Sequence, residues 1–251
     1  MLSKSKIKLI NSLKLEKYRH RYGLFVVEGT TNVLDFLDSD IGLDRLFASG
    51  NWIEKHRNEI QEVKCTQAEE KEIKNISFLK TPPEVVGIFK IPDWGDFNLK
   101  SLTGLLLMLD GIQDPGNMGT IIRTSDWFGI DTIVCSPASA NPFNPKVVQA
   151  SMGSLSRVKV YTADLAGMLK NRPDYLKTFG AVLDGQSLVE VAKPQTGIIL
   201  IGNEAHGISK ELLPMLDHKI TIPGYPPDQG PSAESLNASI ATAIICYEFR
   251  K

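Results

Sequence analysis

The sequence predicts an α/β protein in two successive parts, the second built on a mostly parallel sheet. Short apolar runs alternate with segments of helical period along most of the 251 residues, as layered strands and helices require. The run LTGLLLMLD, residues 102–110, is almost continuously apolar, which suits a parallel strand covered on both faces. Between the halves, IPDWGDFNLK breaks both periods with Pro92, Gly95 and Asn98. This divides the chain into residues 1–94, a linker at 95–101, and residues 102–251.

Taken in order, GLFVVEG reads as a short buried strand and TTNVLDFLD as a helix, with Glu28 and Gly29 closing the one and opening the other. RLFAS, NWIEKHRNEIQ, VKCT, QAEEKEIKNI and VVGIFK continue the alternation and complete a compact α/β unit. In the second half LTGLLLMLD leads through DGIQDPGNMGTIIRTSDWFGI, a loop that becomes a helix closed by Gly129, to the strand DTIVCS. Later strands are RVKVY, FGAVLD, GIILIG and KITI. Later helices are NPKVVQAS, ADLAGMLK and a segment after Ser209. The final helix has its start signal at Ser235, with Ser235 and Asn237 in its first turn and Ile240, Ala243, Ile244 and Tyr247 at helical spacing. Ser235 is then either an ordinary N-cap or a pocket residue.

Composition excludes several classes. An apolar share of 42% and a charged share of 23% are those of a soluble globular chain. No run is long enough for a membrane span or a signal peptide, so a cytoplasmic protein is expected. Cys65, Cys135 and Cys246 are widely spaced and form no CxxC, which argues for reduced thiols without a disulfide or zinc framework. His20, His56, His206 and His218 are scattered, and no metal site is expected. The net charge of −1 does not suggest bulk nucleic-acid binding. Residues 1–22, however, hold seven basic residues against the single acid Glu16, a local charge of +6. Such an arm is either a phosphate-binding surface or a solvated helix face.

Three loops rich in Gly, Pro and Asn come after expected strands: 111–119, 202–208 and 224–235. In a parallel sheet all three lie at one end, where ligands bind. The stretch from Gly202 to Gly207 has the glycine spacing of a P-loop, but Ile208 stands where its lysine is needed. No G-x-G-x-x-G follows any strand, which weighs against a dinucleotide-dependent dehydrogenase.

The same three loops carry a more specific pattern. NMGTIIR with Asn117 and Arg123, IGNEAHGIS with Glu204, and SLNASIA with Ser235 and Asn237 resemble, in order, the three motifs of the SpoU (TrmH-like) RNA 2′-O-ribose methyltransferases of the SPOUT superfamily. The N-terminal part, through KxxKYRxRYGLFVVEG at residues 14–29, is similar to that family's substrate-binding domain, whose fold is like ribosomal protein L30e. The resemblance implies a trefoil-knotted, mostly parallel α/β sheet preceded by an L30e-like α/β domain. It implies S-adenosyl-L-methionine as cofactor, held by Leu183, Gly202, Asn203, Gly207, Ile222 and Leu236. It implies RNA docking by Lys14, Lys17, Arg19 and Arg21, catalysis by Arg123 with Asn117, Glu204, Ser235 and Asn237, and no metal. The active unit would be a homodimer, with Ala238, Ala241 and Ile245 as one face for it.

A ribose 2′-OH is a weak nucleophile that must be held in line with the sulfonium methyl and relieved of its proton. A guanidinium rarely acts as a free base, so Arg123 is expected to anchor the target phosphate and stabilise charge on the 2′-oxygen, or else to pair on the surface with Asp126. Asn117, six positions earlier, lies about 120° away around a helix and is expected in the loop before the first turn. Ribosomal RNA is the expected substrate by the two-domain layout. A transfer RNA enzyme and a non-catalytic RNA-binding or ribosome-assembly protein are the alternatives.

Overall fold

In the computed structural model, which describes residues 2–61, 63–225 and 233–251, the chain forms two units. The first comprises Met1–Asp93 together with Asn141–Arg157, and the second Trp94–Ala140 with Val158–Lys251. A single cut at the linker would leave Asn141–Arg157 with the second part, and side-chain contacts explain why the segment clusters with the first. Phe143 packs against Phe25 with ring centres 4.8 Å apart, and Arg157 pairs with Asp35 at 3.2 Å. Gly153, at φ +86°, leaves room for the Asp35 carboxylate where a Cβ would collide with it.

The first unit opens with two short helices, α1 (Lys4–Ser12), whose N-terminus Ser3 caps, and α2 (Glu16–Tyr22), which stops on Gly23 at φ +61°. Alternation then proceeds as read: β1 (Leu24–Glu28), α3 (Thr30–Leu37), β2 (Leu43–Ala48), α4 (Gly50–Lys55), β3 (Cys65–Gln67), α5 (Glu70–Ile76) and β4 (Val85–Lys90). The helix expected through NWIEKHRNEIQ ends at Lys55. The sheet order is β1-β4-β2-β3, antiparallel except for β2 with β3. Phe25, Phe36 and Phe89 pack together within it, with rings 5.3–6.2 Å apart. Glu28 closes β1 as expected. Its buried carboxylate accepts hydrogen bonds from the Ser77 hydroxyl at 2.5 Å and the Phe78 N–H at 2.9 Å. Burial pushes this carboxyl above its ordinary range, although those two hydrogen bonds and Lys14 oppose the shift.

The second unit is built on six strands: β5 (Leu105–Asp110), β6 (Thr132–Cys135), β7 (Lys159–Thr162), β8 (Thr178–Ser187), β9 (Gly197–Gly202) and β10 (His218–Thr221). Their order is β10-β8-β9-β5-β6-β7 and every pairing is parallel. Leu106, Met108, Ile198 and Leu200 share one buried cluster with Leu165 and Leu169 of α8 (Leu165–Lys170); α7 (Pro145–Ser151) belongs to the first unit. The alternate residues Leu107, Leu109, Ile199 and Ile201 are equally buried, so the sheet is covered on both faces as its near-continuous apolar strands require. On that unit α6 (Pro115–Trp127) and the closing helix α9 (Ala238–Arg250) pack against each other. The helix expected after Ser209 is only a 3-10 turn, Leu213–Met215, because Pro214 lacks the N–H that a longer helix would need.

Between Lys219 and Ile220 the partners of β10 jump from Gly180 to Gln186 on β8. The five residues from Ala181 to Gly185 therefore leave the ladder as an excursion, with Leu183 76% exposed on it. Gly185 returns so close to β10 that a Cβ would lie 2.7 Å from the Lys219 and Ile220 backbone, which only glycine tolerates. Near the start of β8, Asp217 accepts hydrogen bonds from the Thr178 N–H and hydroxyl and from Arg172. Burial raises its proton affinity most, but these donors and the Arg172 charge together outweigh it and hold the carboxyl below its usual range. The three cysteines are free. Burial raises the Cys135 thiol and pushes Cys246 up to about 12, so neither is a ready thiolate.

Candidate active site

In this sheet the chain runs from β5 outward to one edge through β6 and β7, and the neighbour on the other side, β9, comes later. The crevice at the carboxyl ends of β5 and β9 is therefore the topological switch point where open parallel sheets bind ligands. Asp110 and Gly202, the last residues of these strands, pair directly. The loop leaving each of the two strands is built around glycine. Gly111 turns at φ +70°, and Gly202 lies so close to Gly207 and Ile208 that a Cβ would collide with their backbone.

Side chains fix both loops. The Asn203 amide donates to the Gly111 carbonyl at 2.8 Å, and its oxygen accepts the N–H groups of Ala205 and His206 at 2.9 and 3.2 Å. The backbones of Asn203 and Gly207 also bond each other in both directions, at 3.0 and 2.8 Å. Asp110 accepts the Ser209 N–H at 2.8 Å, and Ser136 accepts the Gly111 N–H at 2.9 Å. Asp110 and Ser136 are supporting parts that motif reading passed over. A carboxylate closing a buried apolar strand just before Gly111 was the signal for the first of them.

The loop after β5 enters α6 through Asp114, which caps the helix by accepting the Asn117 N–H at 2.8 Å, with Pro115 in its first turn. Asn117 is therefore helical. The placement expected from its angle to Arg123, in the preceding loop, is corrected by this cap. Its side chain donates to Glu204 at 2.5 Å and accepts from the Asn237 amide at 2.9 Å. Asn237 in turn caps α9, its oxygen accepting from the Ser239 N–H and hydroxyl and from the Ile240 N–H at 2.6–3.4 Å. Asn237 rather than Ser235 is thus the cap, and both precede the first turn. A carboxamide in extended conformation reaches the orphan N–H groups, and Ser235 lies two residues too early.

One hydrogen-bonded chain, Glu204–Asn117–Asn237, hence joins residues from all three motif loops. Arg123 and Ser235 stand outside it. Arg123 is exposed on the stripe of α6 that also bears Gly116, Thr120 and Trp127, and it makes no hydrogen bond or ion pair among the described residues, Asp126 included. Ser235 is likewise exposed and without a hydrogen bond among them. Residues 226–232, most of the third loop, lie outside the described residues.

The expected cofactor set divides in two. Asn203 and Gly207 use polar groups on each other and on Gly111, Ala205 and His206, which shapes the loop. Leu183 and Leu236, at 76% and 47% exposure, are large apolar side chains that a purine ring can cover, while Ile222 directly follows β10 and Gly202 ends β9. The Leu183 carbonyl accepts from Thr221 at 3.2 Å, which ties the excursion of β8 to the end of β10. Exposed apolar surface beside strand-end backbone suits an adenosine, and the site residues fit S-adenosyl-L-methionine. Among the described residues no group of His, Cys, Asp and Glu could hold a metal ion.

In the first unit the basic residues separate. Lys14, Lys17 and Arg21 are exposed. Arg19 is 2% exposed and donates to the carbonyl oxygens of Leu13 and Lys14 at 3.1 and 3.0 Å and to the Asn141 side chain at 3.2 Å. Burial lowers its proton affinity, while Glu16 opposes that shift. Arg19 is a structural staple and not part of the phosphate-binding arm expected for it. Of the anticipated dimer face, Ala238 and Ile245 are buried within the chain at 5% and 1% exposure. The outward large apolar residues of α9 are Ile240 and Tyr247.

Comparison with known proteins places both units. A sequence model of the SpoU rRNA Methylase family matches residues 104–247, and one of the MRM3-like substrate binding domain matches residues 4–87. The chain is 26% identical over 248 residues to the Bacillus subtilis 23S rRNA (guanosine(2553)-2′-O)-methyltransferase RlmP, covering 98% of this chain and 96% of that protein. Among solved structures, a candidate RNA methyltransferase of the TrmH family from Porphyromonas gingivalis superposes with a TM-score of 0.86 at 38% identity, over 100% of this chain and 98% of that one. An AdoMet-bound rRNA methyltransferase from Sinorhizobium meliloti gives 0.85 at 28% identity, over 100% and 96%.

Proposed function

Because the chain belongs to the SpoU rRNA Methylase family, we propose that the Glu204–Asn117–Asn237 chain and the free guanidinium of Arg123 together carry a methyl transfer to a ribose 2′-hydroxyl. The protein is an S-adenosylmethionine-dependent RNA 2′-O-ribose methyltransferase that acts on ribosomal RNA. The cofactor supplies the electrophilic methyl group on a sulfonium. What the residues add is position and charge. Arg123, unpaired among the described residues, binds the phosphate next to the target ribose and stabilises the negative charge that grows on the 2′-oxygen as its proton passes to solvent. Glu204 holds the Asn117 amide, which holds that of Asn237, so the ends of the three loops keep a fixed spacing before substrate arrives. Leu183 and Leu236 would hold the adenosine of that cofactor, with the strand-end backbone of Gly202 and Ile222.

The observation that carries this reading is the hydrogen-bonded chain itself, since it unites motif residues 87 and 120 positions apart. The trefoil knot, the L30e-like character of the first unit and a cytoplasmic site of action belong to the same proposal. The knot rests on the SpoU family assignment. A homodimer is supported by the outward apolar residues Trp127, Ile240 and Tyr247, at 84%, 53% and 55% exposure, on the adjoining helices α6 and α9.

Transfer of labelled methyl from S-adenosylmethionine to unmodified ribosomal and transfer RNA, followed by mapping of alkali-resistant linkages, tests the function. The expected result is a single 2′-O position in ribosomal RNA, labelled by the wild type and lost in Arg123→Ala. Label in a base, or equal labelling by Arg123→Ala, overturns the assignment. Sedimentation across a range of concentrations that finds only monomer removes the dimer.

A further inference from the structure

The exposed part of the basic arm is more than a patch of charge. On α2 successive ridges carry different chemistry: Glu16 and His20, then Lys17 and Arg21, then Tyr18 and Tyr22, with Arg19 opposite the cationic ridge and pointing inward. The tyrosine rings stack with centres 6.2 Å apart and planes 14° apart, and Tyr22 is 41% exposed. Lys17 Nζ sits 5.0 Å from the Tyr18 ring centre, and the Arg21 guanidinium carbon 5.8 Å from that of Tyr22. Close by in sequence, Lys14 Nζ lies 4.8 Å over Phe78. None of the three cations forms a salt bridge among the described residues, and the acid of the helix, Glu16, is engaged by His20 at 3.3 Å and Asn141 at 3.1 Å.

This face is also held still. The Arg19 staple ties α2 to the carbonyls of Leu13 and Lys14, and Gly23 ends the helix in the left-handed conformation. A rigid pair of aromatic faces edged by unpaired cations is what unpaired nucleotides recognise: bases stack on rings, and phosphates take the charges. Cation–π contacts at exposed positions are weak, so Lys17 and Arg21 can exchange a ring for a phosphate at little cost. A paired helix hides its base faces and offers only its backbone.

We propose that the outer face of α2 docks a single-stranded segment of the RNA substrate, with bases stacked on Tyr18 and Tyr22 and phosphates on Lys14, Lys17 and Arg21. The proposal rests on the ribosomal RNA reading and names the feature of that RNA which the first unit grips.

Fluorescence anisotropy with the full chain, comparing a short labelled oligouridine with a fully paired hairpin, tests it. Tyr22→Ala is expected to weaken oligouridine binding by about 10-fold while changing hairpin binding by less than about 2-fold, and Tyr22→Trp to bind as well as the wild type or better. Lys17→Ala is expected to weaken both and to flatten the salt dependence by about 0.7 for the lost single-strand phosphate contact. Oligouridine binding unchanged in Tyr22→Ala, or an equal loss on the hairpin, overturns the stacking platform. Displacement of the RNA by polyglutamate, insensitive to Tyr22, assigns the face to an acidic protein and overturns it as well. S-adenosylmethionine binding and methyl transfer, measured on the same samples, separate the two levels. A wild type that transfers no methyl removes the enzymatic reading while the oligouridine ratio still judges α2, and normal transfer without a Tyr22 effect does the reverse.

Discussion

Arg19 in α2 and Arg123 in α6 sit on helices of the two units, and their guanidinium groups are used in opposite ways. Arg19 is buried and donates to three oxygens of its own unit, while Arg123 is exposed and makes no hydrogen bond or ion pair among the described residues. A buried cation whose terminal nitrogens bond its own unit stabilises the fold, whereas one whose donors are free is available to a substrate anion. The same division separates Asn203, engaged within its loop, from Leu183 and Leu236, which offer uncovered apolar surface.

The sharpest way to break that contrast is to keep the charge and remove the fork. Arg123→Lys is expected to lower turnover by about 100-fold or more with an unchanged melting temperature, because an ammonium cannot grip a phosphate bidentately. Full turnover in single-turnover assays would show that only net charge matters at that position. Arg19→Ala should give the mirror image: a loss of about 2–4 kcal/mol in urea unfolding, since three acceptors lose a buried charged donor, with methyl transfer per folded molecule retained. A stable Arg19→Ala protein that binds ribosomal RNA poorly would instead return Arg19 to the docking surface.

Asn237 lies between these extremes, since it both caps α9 and bonds Asn117. Asn237→Ala is expected to cost about 1 kcal/mol of stability and about 10-fold or more in turnover. Asn237→Asp keeps the capping oxygen but lacks the donor to Asn117, so stability near wild type with the turnover loss retained would assign the second effect to the hydrogen-bonded chain.

The smallest expected effects concern pH, and they too are opposite in the two units. The raised carboxyl of Glu28 contributes stability that is complete below the ordinary carboxylate range and is lost as pH rises through its folded-state value. The lowered carboxyl of Asp217 contributes stability present above that range and lost as pH falls through its depressed value. Amide hydrogen exchange measured from acid to neutral pH should therefore show Glu28→Gln flattening the neutral-side decline around β1, and Asp217→Asn flattening the acid-side decline around β8.

How much could be read before folding depends on the physical content of each pattern. Strands such as LTGLLLMLD and GIILIG were legible because burial on both faces forces a continuous apolar run, and the motif loops because glycine marks close backbone approach. The separate roles of Arg19 and Arg123 were not legible. Residue type records which donors a side chain has, and only the packed structure records which acceptors reach them. The attachment of Asn141–Arg157 to the first unit escaped for a related reason. It depends on Phe143 meeting Phe25 and Arg157 meeting Asp35 across more than a hundred positions, and no local period carries that information.

The bonds that close the site are also among the most distant in the chain, at separations of 87 and 120 residues. Such contacts carry a large loop-closure entropy and form after local helices and neighbouring strands are in place. Closure of the site is therefore expected to come after that of its separate helices and strands, so that a local loss of tertiary packing would silence the enzyme before it unfolds it.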